Sequence, residues 1–453
     1  MTGCTVTELA VRAYRLEGEA TGPTMQGTNY AALDELVSPY GVVYAVRGGS
    51  DWRDPLPFEI YAASVGSGKP GIGGSGKGHT VCGGRADVGS TELARLIAIA
   101  EGAERYVISD HPIGDTIWAT AEELEGRCVE PWRIPKCSAK ELAAAGSRAT
   151  NFDPSASIRW SRGKDLINGE PVWVPTAMVC LGLLDRTPAE RFTSPISTGY
   201  AVHTSSEEAV VGGIREVVER DIISLLWLQA LTLPRVRTAD YNDMTARIVE
   251  WGRRHFLDIQ VFDATSDLRI PTAYCLVRAP YDTQVATAVG AGTGWNMREA
   301  VAKAVCEAVS IRAVIQAAEG DPRKPYSAYR EIEDGAVFMA LAENSHAFDF
   351  LTGSDSYSDS SAELPQDPHE ALNVMMNTFA AKEMRPIVVE RTTKELAAVG
   401  LTAVCVVIPD LQPMSLDPLV QFKGHARLYE APRLMGYTSM AEEGLNSWPQ
   451  PFA

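Results

Sequence analysis

Three segments of the chain combine acidic side chains with an arginine at roughly the spacing of a helical turn. The segments are Glu101-x-x-Glu104-Arg105, Glu216-x-x-Glu219-Arg220, and the shorter pair Glu307 with Arg312. Residues three and four apart share one face of a helix, so each segment is expected to direct its carboxylates and its guanidinium the same way. Mg²⁺ binds carboxylate and phosphate oxygens, and arginine binds phosphate through a planar fork. The residues therefore predict a cage for Mg²⁺ and phosphate.

A single motif of this kind has a simpler explanation, which is a solvated helix face with an intrahelical ion pair. Here each motif lies in a segment of low polarity: IAIAEGAER, GGIREVVER and AVCEAVSIR. Carboxylates in such helices are expected to be partly buried, and a buried carboxylate needs a cation or a metal ion beside it. The repetition and the apolar setting favour a functional site.

The three helices that carry the motifs have recognisable first turns, because polar residues with short side chains precede the apolar periodicity. The expected caps are Ser90 or Thr91 for the first helix, Ser205-x-x-Glu208 for the second and Asn296-x-x-Glu299 for the third. Apolar residues recur at helical spacing along these helices, and they predict one buried face on each helix.

Apolar segments that read as strands lie before these helices. They are FEIYAASVG from residue 58, PVWVPTAMVCLGLL from residue 171 and LRIPTAYCLVRAP from residue 268, the last followed by AVGAGTGWN as a turn. Residues 137–165 are predicted as a polar stretch and residues 352–368 as an exposed, mobile loop. A helix over 369–383, a strand, a second helix and a strand complete the pattern. The alternation of strands and helices predicts an α/β or α+β fold.

A glycine-rich loop runs from residue 66 to the first helix. Its segment Gly71-Ile-Gly-Gly-Ser-Gly76-Lys77-Gly78 approaches the phosphate-binding pattern G-x-x-x-x-G-K-[ST]. However, Gly78 replaces the hydroxyl that would bind Mg²⁺, and HTVCGG does not begin a helix. Two interpretations stay open: a flexible loop that brings Lys77 to a phosphate in another way, or a structural loop.

Composition narrows the class of protein. A net charge of −17 over 453 residues argues against nucleic acid binding through a broad basic face. The N-terminus lacks the apolar core of a signal peptide, and no apolar run is long enough to span a bilayer. The eight cysteines show no C-x-x-C spacing, and no histidine completes a nucleophilic triad. A cytoplasmic protein without disulfides is the expectation.

The motifs together resemble the YcaO family, over residues 70 to 410. The resemblance is carried by E-x-x-E-R at 101–105, by S-x-G-x-A followed by E-E-A and E-V-V-E-R-D up to residue 221, and by G-x-G, E-A and E-A-x-x-x-R up to residue 312. It implies a YcaO-type fold of several sheet-plus-helix subdomains around a central ATP site. The implied domains are an N-terminal segment at 1–65, a YcaO-like ATP-binding domain at 66–435 and a proline-containing tail at 436–453.

Carried over position by position, the resemblance assigns roles to ten residues. Glu101, Glu104, Glu216, Glu219 and Glu307 match the metal ligands, and Lys77, Arg105, Glu208, Arg220 and Arg312 match the groups that bind the nucleotide. The implied cofactors are ATP and Mg²⁺. The family's glycine-lysine pair lies closer to the first acidic helix, so Arg85 is an alternative to Lys77.

The chain also departs from the family pattern. Ile97 stands where a serine is usual, His203-Thr204 where Gly-Asn is usual, and Ser310 where a glutamine is usual. The sequence thus resembles a divergent, standalone member. The end, Trp448-Pro-Gln-Pro451, is a shortened form of the proline-rich tail of azoline-forming members, and is expected either to fold back toward the site or to be a disordered polar end.

The resemblance implies ATP-dependent activation of a backbone amide in a ribosomally made precursor peptide. The product would be a thiazoline, an oxazoline or an amidine macrocycle. Two alternatives stay open: thioamidation with a TfuA-type partner, and a non-catalytic scaffold that holds a precursor. The expected partners are the precursor peptide, a separate leader-binding or TfuA-like protein and a second copy of the chain, with no nucleic acid and no membrane.

Overall fold

The computed structural model describes residues 30–48, 56–65, 81–108, 116–147, 149–183, 185–194, 196–318, 321–329, 331–359 and 361–452. Its strands are β1 (Val43–Gly48), β2 (Glu59–Val65), β3 (Val81–Ala86), β4 (Thr116–Ala119), β5 (Ile158–Asp165), β6 (Pro171–Pro175), β7 (Tyr200–His203), β8 (Asp258–Asp263), β9 (Thr272–Arg278), β10 (Thr287–Thr293), β11 (Ile387–Glu390) and β12 (Thr402–Val407). Its α-helices are α1 (Thr91–Ile108), α2 (Ala139–Ala143), α3 (Thr176–Val179), α4 (Ser206–Leu228), α5 (Asp243–Arg254), α6 (Met297–Ala317), α7 (Asp334–Met339), α8 (Asp349–Thr352), α9 (Pro368–Ala381), α10 (Lys394–Ala398) and α11 (Arg427–Leu434).

Two sheets of the fold share one plan, in which three antiparallel strands are followed by a long helix that packs on them. The first has the order β1-β2-β3 with α1, and the other has the order β10-β9-β8 with α6. Gly84 on β3 and Gly290 on β10 permit the contact. A Cβ at Gly84 would lie 2.1 Å from the carbonyl oxygen of Ala94, and one at Gly290 would lie 2.4 Å from the amide nitrogen of Ala308. The glycines therefore let each helix backbone approach its sheet closely.

The third sheet is the largest and has the order β4-β5-β11-β12-β7, with β6 paired to β5. Its pairings are antiparallel. Helix α4 packs on β12 and β7 and also contacts β10, while α1 contacts β7. Every residue from Glu208 to Leu228 is buried. The α4 helix is thus enclosed by the sheets, and the three long helices approach one another there.

Most of the predicted elements are confirmed, and so is the mixed fold class with several sheet-plus-helix units. Ser205 caps α4 by accepting a hydrogen bond from the Glu208 amide, and Asn296 caps α6 in the same way through Glu299. The predicted boundary at residue 65 falls inside the first sheet, because β1 and β2 pair with each other and β2 pairs with β3.

The errors concern glycine-rich and polar segments. Residues 81–86 of the predicted glycine loop form β3, and residues 288–293 of the predicted turn lie in β10. The predicted polar stretch contains β5, and the strand predicted from residue 171 ends at Pro175, just before α3. The loop over 352–368, by contrast, is largely exposed as predicted, and it is anchored where the Leu364 amide donates to the Trp295 carbonyl at 2.7 Å. Small residues form strands here because helices cover them, which local sequence does not reveal.

A buried ion-pair network fixes the C-terminal helix α11 against α4. Arg427 is 4% exposed and lies 2.7 Å from both Asp221, the residue after Arg220, and Asp267. Lys382 reaches Asp267 from the end of α9 at 2.8 Å. Burial opposes the charge of Arg427, but the two aspartates outweigh it and raise the pKa of its guanidinium. The network therefore holds the end of the chain beside the second acidic motif.

Arg427→Met is expected to lower the free energy of unfolding by about 3–5 kcal/mol, because it removes one partner and leaves the charge of Asp221 buried. Urea denaturation followed by circular dichroism measures this change. The control is Lys140→Ala, since Lys140 and Glu443 form an exposed pair at 2.7 Å, and solvent screens such a pair so that its removal should change the free energy of unfolding little. Equal effects of the two substitutions would contradict the assigned role of the network.

Candidate active site

Helices α1, α4 and α6 bring together the acids and two of the arginines that the sequence singles out. We call this group the acid–arginine cluster: Glu101, Glu104, Arg105, Glu216, Glu219, Arg220 and Glu307. None of its five glutamates is more than 8% exposed. Five buried carboxylates with two guanidinium groups among them carry an excess of negative charge.

Each arginine of the cluster lies beside the acids of its own helix. Arg105 is 3.5 Å from Glu101 and 3.8 Å from Glu104. Arg220 is 3.6 Å from Glu219 and 4.0 Å from Glu216. These separations exceed the 2.7–2.9 Å of a charge-assisted hydrogen bond. The pairs are loose, which leaves room for ligand oxygens between them.

In three of the glutamates, one carboxylate oxygen accepts a hydrogen bond from a backbone amide of another element. Glu216 accepts from Gly199 at 3.0 Å, just before β7, and Glu219 accepts from Thr293 at 2.8 Å, at the end of β10. Glu307 accepts from Ala291 in β10 at 2.7 Å. Each of these bonds uses Oε2. In Glu216 and Glu219 the other oxygen, Oε1, is the one that lies nearest to Arg220. The Oε1 of Glu216 is buried and accepts no hydrogen bond within the described residues.

The charges of the three helices act on one another. Burial raises the pKa of Glu216 to about 7, with Arg220 of its own helix and Arg105 of α1 acting in the opposite direction. Burial also raises the pKa of Glu307, against the charge of Arg220 on α4, while Glu219 adds to the increase. A site that disfavours its own negative charges is one that cations stabilise.

The donor set fits Mg²⁺ shared with a nucleotide. Within the described residues, no three acidic, histidine or cysteine side chains are arranged to enclose a metal ion by themselves. Mg²⁺ in nucleotide sites is commonly held by one or two carboxylates, with phosphate and water oxygens completing its octahedron. The Oε1 of Glu216, which accepts no hydrogen bond within the described residues, and the long separations of the ion pairs suit that mode. The metal roles of the five glutamates therefore stay a prediction in this form.

The remaining predicted nucleotide contacts fall in different places. Lys77 lies outside the described residues. Arg85 lies on β3, and its charge lowers the pKa of Glu307 slightly against the effect of burial. Its Nε is buried without a hydrogen bond, which makes Arg85 a candidate phosphate ligand. Glu208, in the first turn of α4, lies 2.8 Å from Nδ1 of His203.

Arg312 is not brought into the cluster. It donates to Asp282 in the β9–β10 connection at 2.7 Å, and within the described chain no ion pair joins it to the cluster acids. The reason is helical geometry, since Arg105 and Arg220 follow their first acid by four residues but Arg312 follows Glu307 by five. One further residue turns a side chain by about 100° around the helix.

Sequence reasoning missed Arg215, which is fully buried one residue before Glu216. It donates to the Thr293 carbonyl at 2.6 Å and lies over the Trp295 ring at 5.1 Å. Thr293 thus bonds to α4 twice, through Arg215 and through Glu219. An arginine inside the apolar run GGIREVV was the signal that could have revealed this clamp.

A small cavity of about 100 Å³ reaches Arg220 from the side of the Pro409–Met414 loop. Its lining is mostly apolar, with Ile196, Val217 and Leu411 among the contributors. The Thr198 hydroxyl is buried there without a hydrogen bond. The cavity gives the cluster an apolar approach on this side.

Residues 448–452 fold back toward the cluster, which confirms the first of the two expectations for the tail. The Trp448 carbonyl accepts from Trp227 of α4 at 3.0 Å. The Phe452 ring lies 5.9 Å from the guanidinium of Arg220. The tail is therefore part of the wall of the site.

A protein-family model described as YcaO cyclodehydratase, ATP- and Mg²⁺-binding, matches residues 88–412 of the chain. The chain belongs to the YcaO family. The resemblance predicted from the motifs is thereby confirmed. The prediction of ATP and Mg²⁺ is also confirmed, because the YcaO family binds both. The departures at Ile97 and Ser310 lie in packed positions, where Ile97 joins the core of α1 and the Ser310 hydroxyl donates to the Cys306 carbonyl at 2.7 Å.

Solved structures share the fold of this YcaO chain. A heterocyclase in complex with substrate and cofactor has a TM-score of 0.78 and 22% identity, over 94% of this chain and 57% of that one. A YcaO protein from Methanopyrus kandleri bound with AMPPCP and Mg²⁺ has a TM-score of 0.58 and 16% identity, over 82% of this chain and 86% of that one. The match to the heterocyclase, which has the higher TM-score of the two, thus covers little more than half of the heterocyclase chain.

In sequence, the YcaO chain is 28% identical to an uncharacterised protein from the tfuA 3′ region of Rhizobium leguminosarum bv. trifolii. The match covers 41% of this chain and 43% of that protein. In the part of the chain that the structure describes, no helix combines the length and the apolar character needed to cross a membrane.

Glu216 predicts a pH dependence of stability. Its pKa of about 7 in the folded state exceeds the ordinary value of 4.5, so the folded protein retains a proton that the unfolded chain releases. The stabilisation is complete below pH 4.5 and is lost as the pH rises through 7. Without nucleotide or Mg²⁺, the wild type should therefore lose on the order of 2 kcal/mol relative to Glu216→Gln over this interval. Urea titrations across it measure this difference, and parallel curves would contradict the assignment.

Proposed function

We propose that this YcaO protein uses ATP and Mg²⁺ to activate a backbone amide of a ribosomally made precursor peptide, and closes an azoline ring or an amidine macrocycle. A Cys, Ser or Thr side chain, or an amine of the peptide, adds to the amide carbon. This addition closes the ring. The amide oxygen then takes the γ-phosphoryl group and ADP is released. Phosphate leaves as the C–O bond breaks, the amide nitrogen loses its proton and the C=N bond forms. The net change in the peptide is the loss of one water per ring.

The observation that carries the proposal is the acid–arginine cluster. Its five buried glutamates exceed its two arginines in charge, and the excess suits bound Mg²⁺. Burying carboxylates without cations is costly, so a scaffold that had lost nucleotide binding would be expected to lose these charges first. Their retention favours an enzyme over the non-catalytic scaffold.

The cluster residues would divide the work of phosphoryl transfer. When bound, Mg²⁺ would neutralise phosphate charge. The carboxylates of α1, α4 and α6 would provide oxygen ligands, held in place by the backbone amides of Gly199, Ala291 and Thr293. Arg105 and Arg220 would stabilise charge on the transferred group. The Phe452 ring on Arg220 would help to exclude water.

Thioamidation is the second candidate, and the Rhizobium relative from the tfuA 3′ region favours it. In that reaction sulfide is the nucleophile, and a TfuA-like protein would deliver it. The ordered tail favours ring closure, since it matches the end of azoline-forming relatives.

We further propose that the peptide is presented by a separate leader-binding or TfuA-like protein. We also propose that the YcaO protein acts in the cytoplasm and that it is a homodimer.

Glu216→Gln and Glu219→Gln are each expected to abolish ATP turnover while the fold persists, because each removes a charged ligand from the metal site. Phosphate release measures turnover, and isothermal calorimetry measures Mg-ATP affinity. The matched control is Glu250→Gln on α5, which removes an exposed acid paired with Arg253 at 2.9 Å and should not change turnover. Unchanged Mg-ATP affinity in both cluster variants would refute the nucleotide site.

Arg220→Lys tests whether the arginine acts on phosphate. It retains the charge but loses the planar fork, so turnover should fall by about tenfold or more while the melting temperature changes little. The same change at Arg312, whose partner is Asp282, should leave turnover unaffected. Loss of stability in proportion to activity would favour a structural ion pair.

Mass spectrometry of a treated precursor peptide separates the two chemistries. Ring closure removes one water, whereas thioamidation replaces an oxygen by a sulfur. The tail is best altered by single substitutions, because Phe452 packs in the same core as Tyr274 and Leu445. Deleting residues 447–453 would expose that core and confuse stability with activity.

A further inference from the structure

A buried glutamine in the tail has no hydrogen-bond partner. Gln450 is 2% exposed, and neither Oε1 nor Nε2 forms a hydrogen bond within the described residues. Gln229 is buried to the same degree but is satisfied. Its Nε2 donates to the carbonyls of Leu428 and Met440 at 3.0 and 3.2 Å, and its Oε1 accepts from the Met440 amide at 2.7 Å. Burying an unpartnered amide is unfavourable, so the contrast points to a ligand at Gln450.

The tail carries Gln450 along the face of α4 that presents the cluster. Trp448 bonds to Trp227 at 3.0 Å, and the ring of Phe452 lies 5.9 Å from Arg220. Residues 220 and 227 are seven apart and therefore lie on one helix face. Gln450 is midway between the two contacts. The backbone that carries Gln450 thus passes along α4, two residues before Phe452, whose ring lies by Arg220.

Tyr274, whose ring packs against Phe452, provides a second buried polar group near the tail. Its side chain is 1% exposed, its hydroxyl forms no hydrogen bond within the described chain, and its ring lies 5.7 Å from the Phe452 ring. Burial, and to a lesser degree the charges of Cys275 and Glu307, raise the pKa of this hydroxyl. It therefore stays protonated and can donate a hydrogen bond.

We propose that Gln450 and Tyr274 bind one backbone amide of the peptide substrate beside Arg220. A primary amide complements a peptide group, since Nε2 can donate to the peptide carbonyl while Oε1 accepts from the peptide N–H. The Tyr274 hydroxyl would donate to the same carbonyl oxygen. A phosphate or a carboxylate would not fit, because neither gives Oε1 a proton to accept. This inference depends on the proposed function in one respect, which is that the ligand is the precursor peptide.

An adenine base is the other ligand that pairs with a glutamine amide through one donor and one acceptor. The geometry favours the peptide because Gln450 belongs to a chain segment that lines the apolar core of Phe452 and Tyr274. Nucleotide titration separates the two. Weaker binding of ATP but not of GTP in Gln450→Met would identify an adenine contact and overturn the proposal.

The first experiment compares melting temperatures of the full-length protein. Gln450→Met should leave the melting temperature unchanged or raise it, because no hydrogen bond is lost and an unsatisfied amide is removed. The matched control Gln229→Met should lower it by about 2–4 °C, because it breaks three hydrogen bonds. A fall for Gln450→Met equal to that of the control would show that Gln450 is structural, and would overturn the proposal.

The second experiment measures binding of N-acetylglycine N-methylamide, a minimal peptide with no nucleophile, by saturation-transfer NMR in the presence of Mg-ATP. Binding should weaken at least about tenfold in Gln450→Met, which loses two hydrogen bonds, and by a further factor of up to about ten when Tyr274→Phe is added, which loses one. Gln229→Met should bind as the wild type does. Equal binding in all variants, or none to the wild type, would overturn the proposal. Because this readout needs no turnover, its failure is distinguishable from loss of the ATP-dependent reaction.

Discussion

The rest of the structure depends on one constraint, which is the burial of five carboxylates on three neighbouring helices whose charges affect one another. Burial raises the pKa of Glu216 and of Glu307, so the protein without ligands holds these groups in an unfavourable state. The two arginines of the cluster offset part of this cost, at distances too long for strong hydrogen bonds. The fold must therefore supply the free energy that keeps the acids in place, and cations are what relieve it.

The surrounding elements supply this support in two ways. Backbone amides at the ends of strands fix one oxygen of each anchored glutamate, which costs no charge and leaves the second oxygen directed at the site. Behind the cluster, Arg215 and the Asp221–Arg427 network tie α4 to β10 and to α11. The helix that carries the second motif is thus tied both to a neighbouring sheet and to the C-terminal helix. Such an arrangement is common where function and stability conflict.

The tail shows the same conflict on a smaller scale. Phe452 and Trp448 contribute apolar packing, while Gln450 and Tyr274 leave polar atoms buried that form no hydrogen bond with the part of the chain that the structure describes. A chain selected for stability alone would place apolar side chains at both positions. Gln229, which directly follows α4, forms hydrogen bonds through both atoms of its side-chain amide. The fold is therefore able to satisfy a buried glutamine where binding is not required.

Local sequence was sufficient to predict the three acidic helices, their caps at Ser205 and Asn296, and the orientation of the first two motifs, because helical spacing and capping depend only on residues within one turn. The family's nucleotide and metal followed from the same motifs. Other features depend on contacts between distant segments. Strands β3 and β10 could not be predicted because their glycines serve the close approach of distant helices, and strand pairing is not local. Only the folded structure shows that Arg312 pairs with Asp282, that Arg215 links α4 to Thr293, and that the buried Gln450 side chain forms no hydrogen bond within the described residues. Each of these depends on which distant segment lies opposite, and the hydrogen-bonding state of a buried side chain is fixed only when that segment is in place.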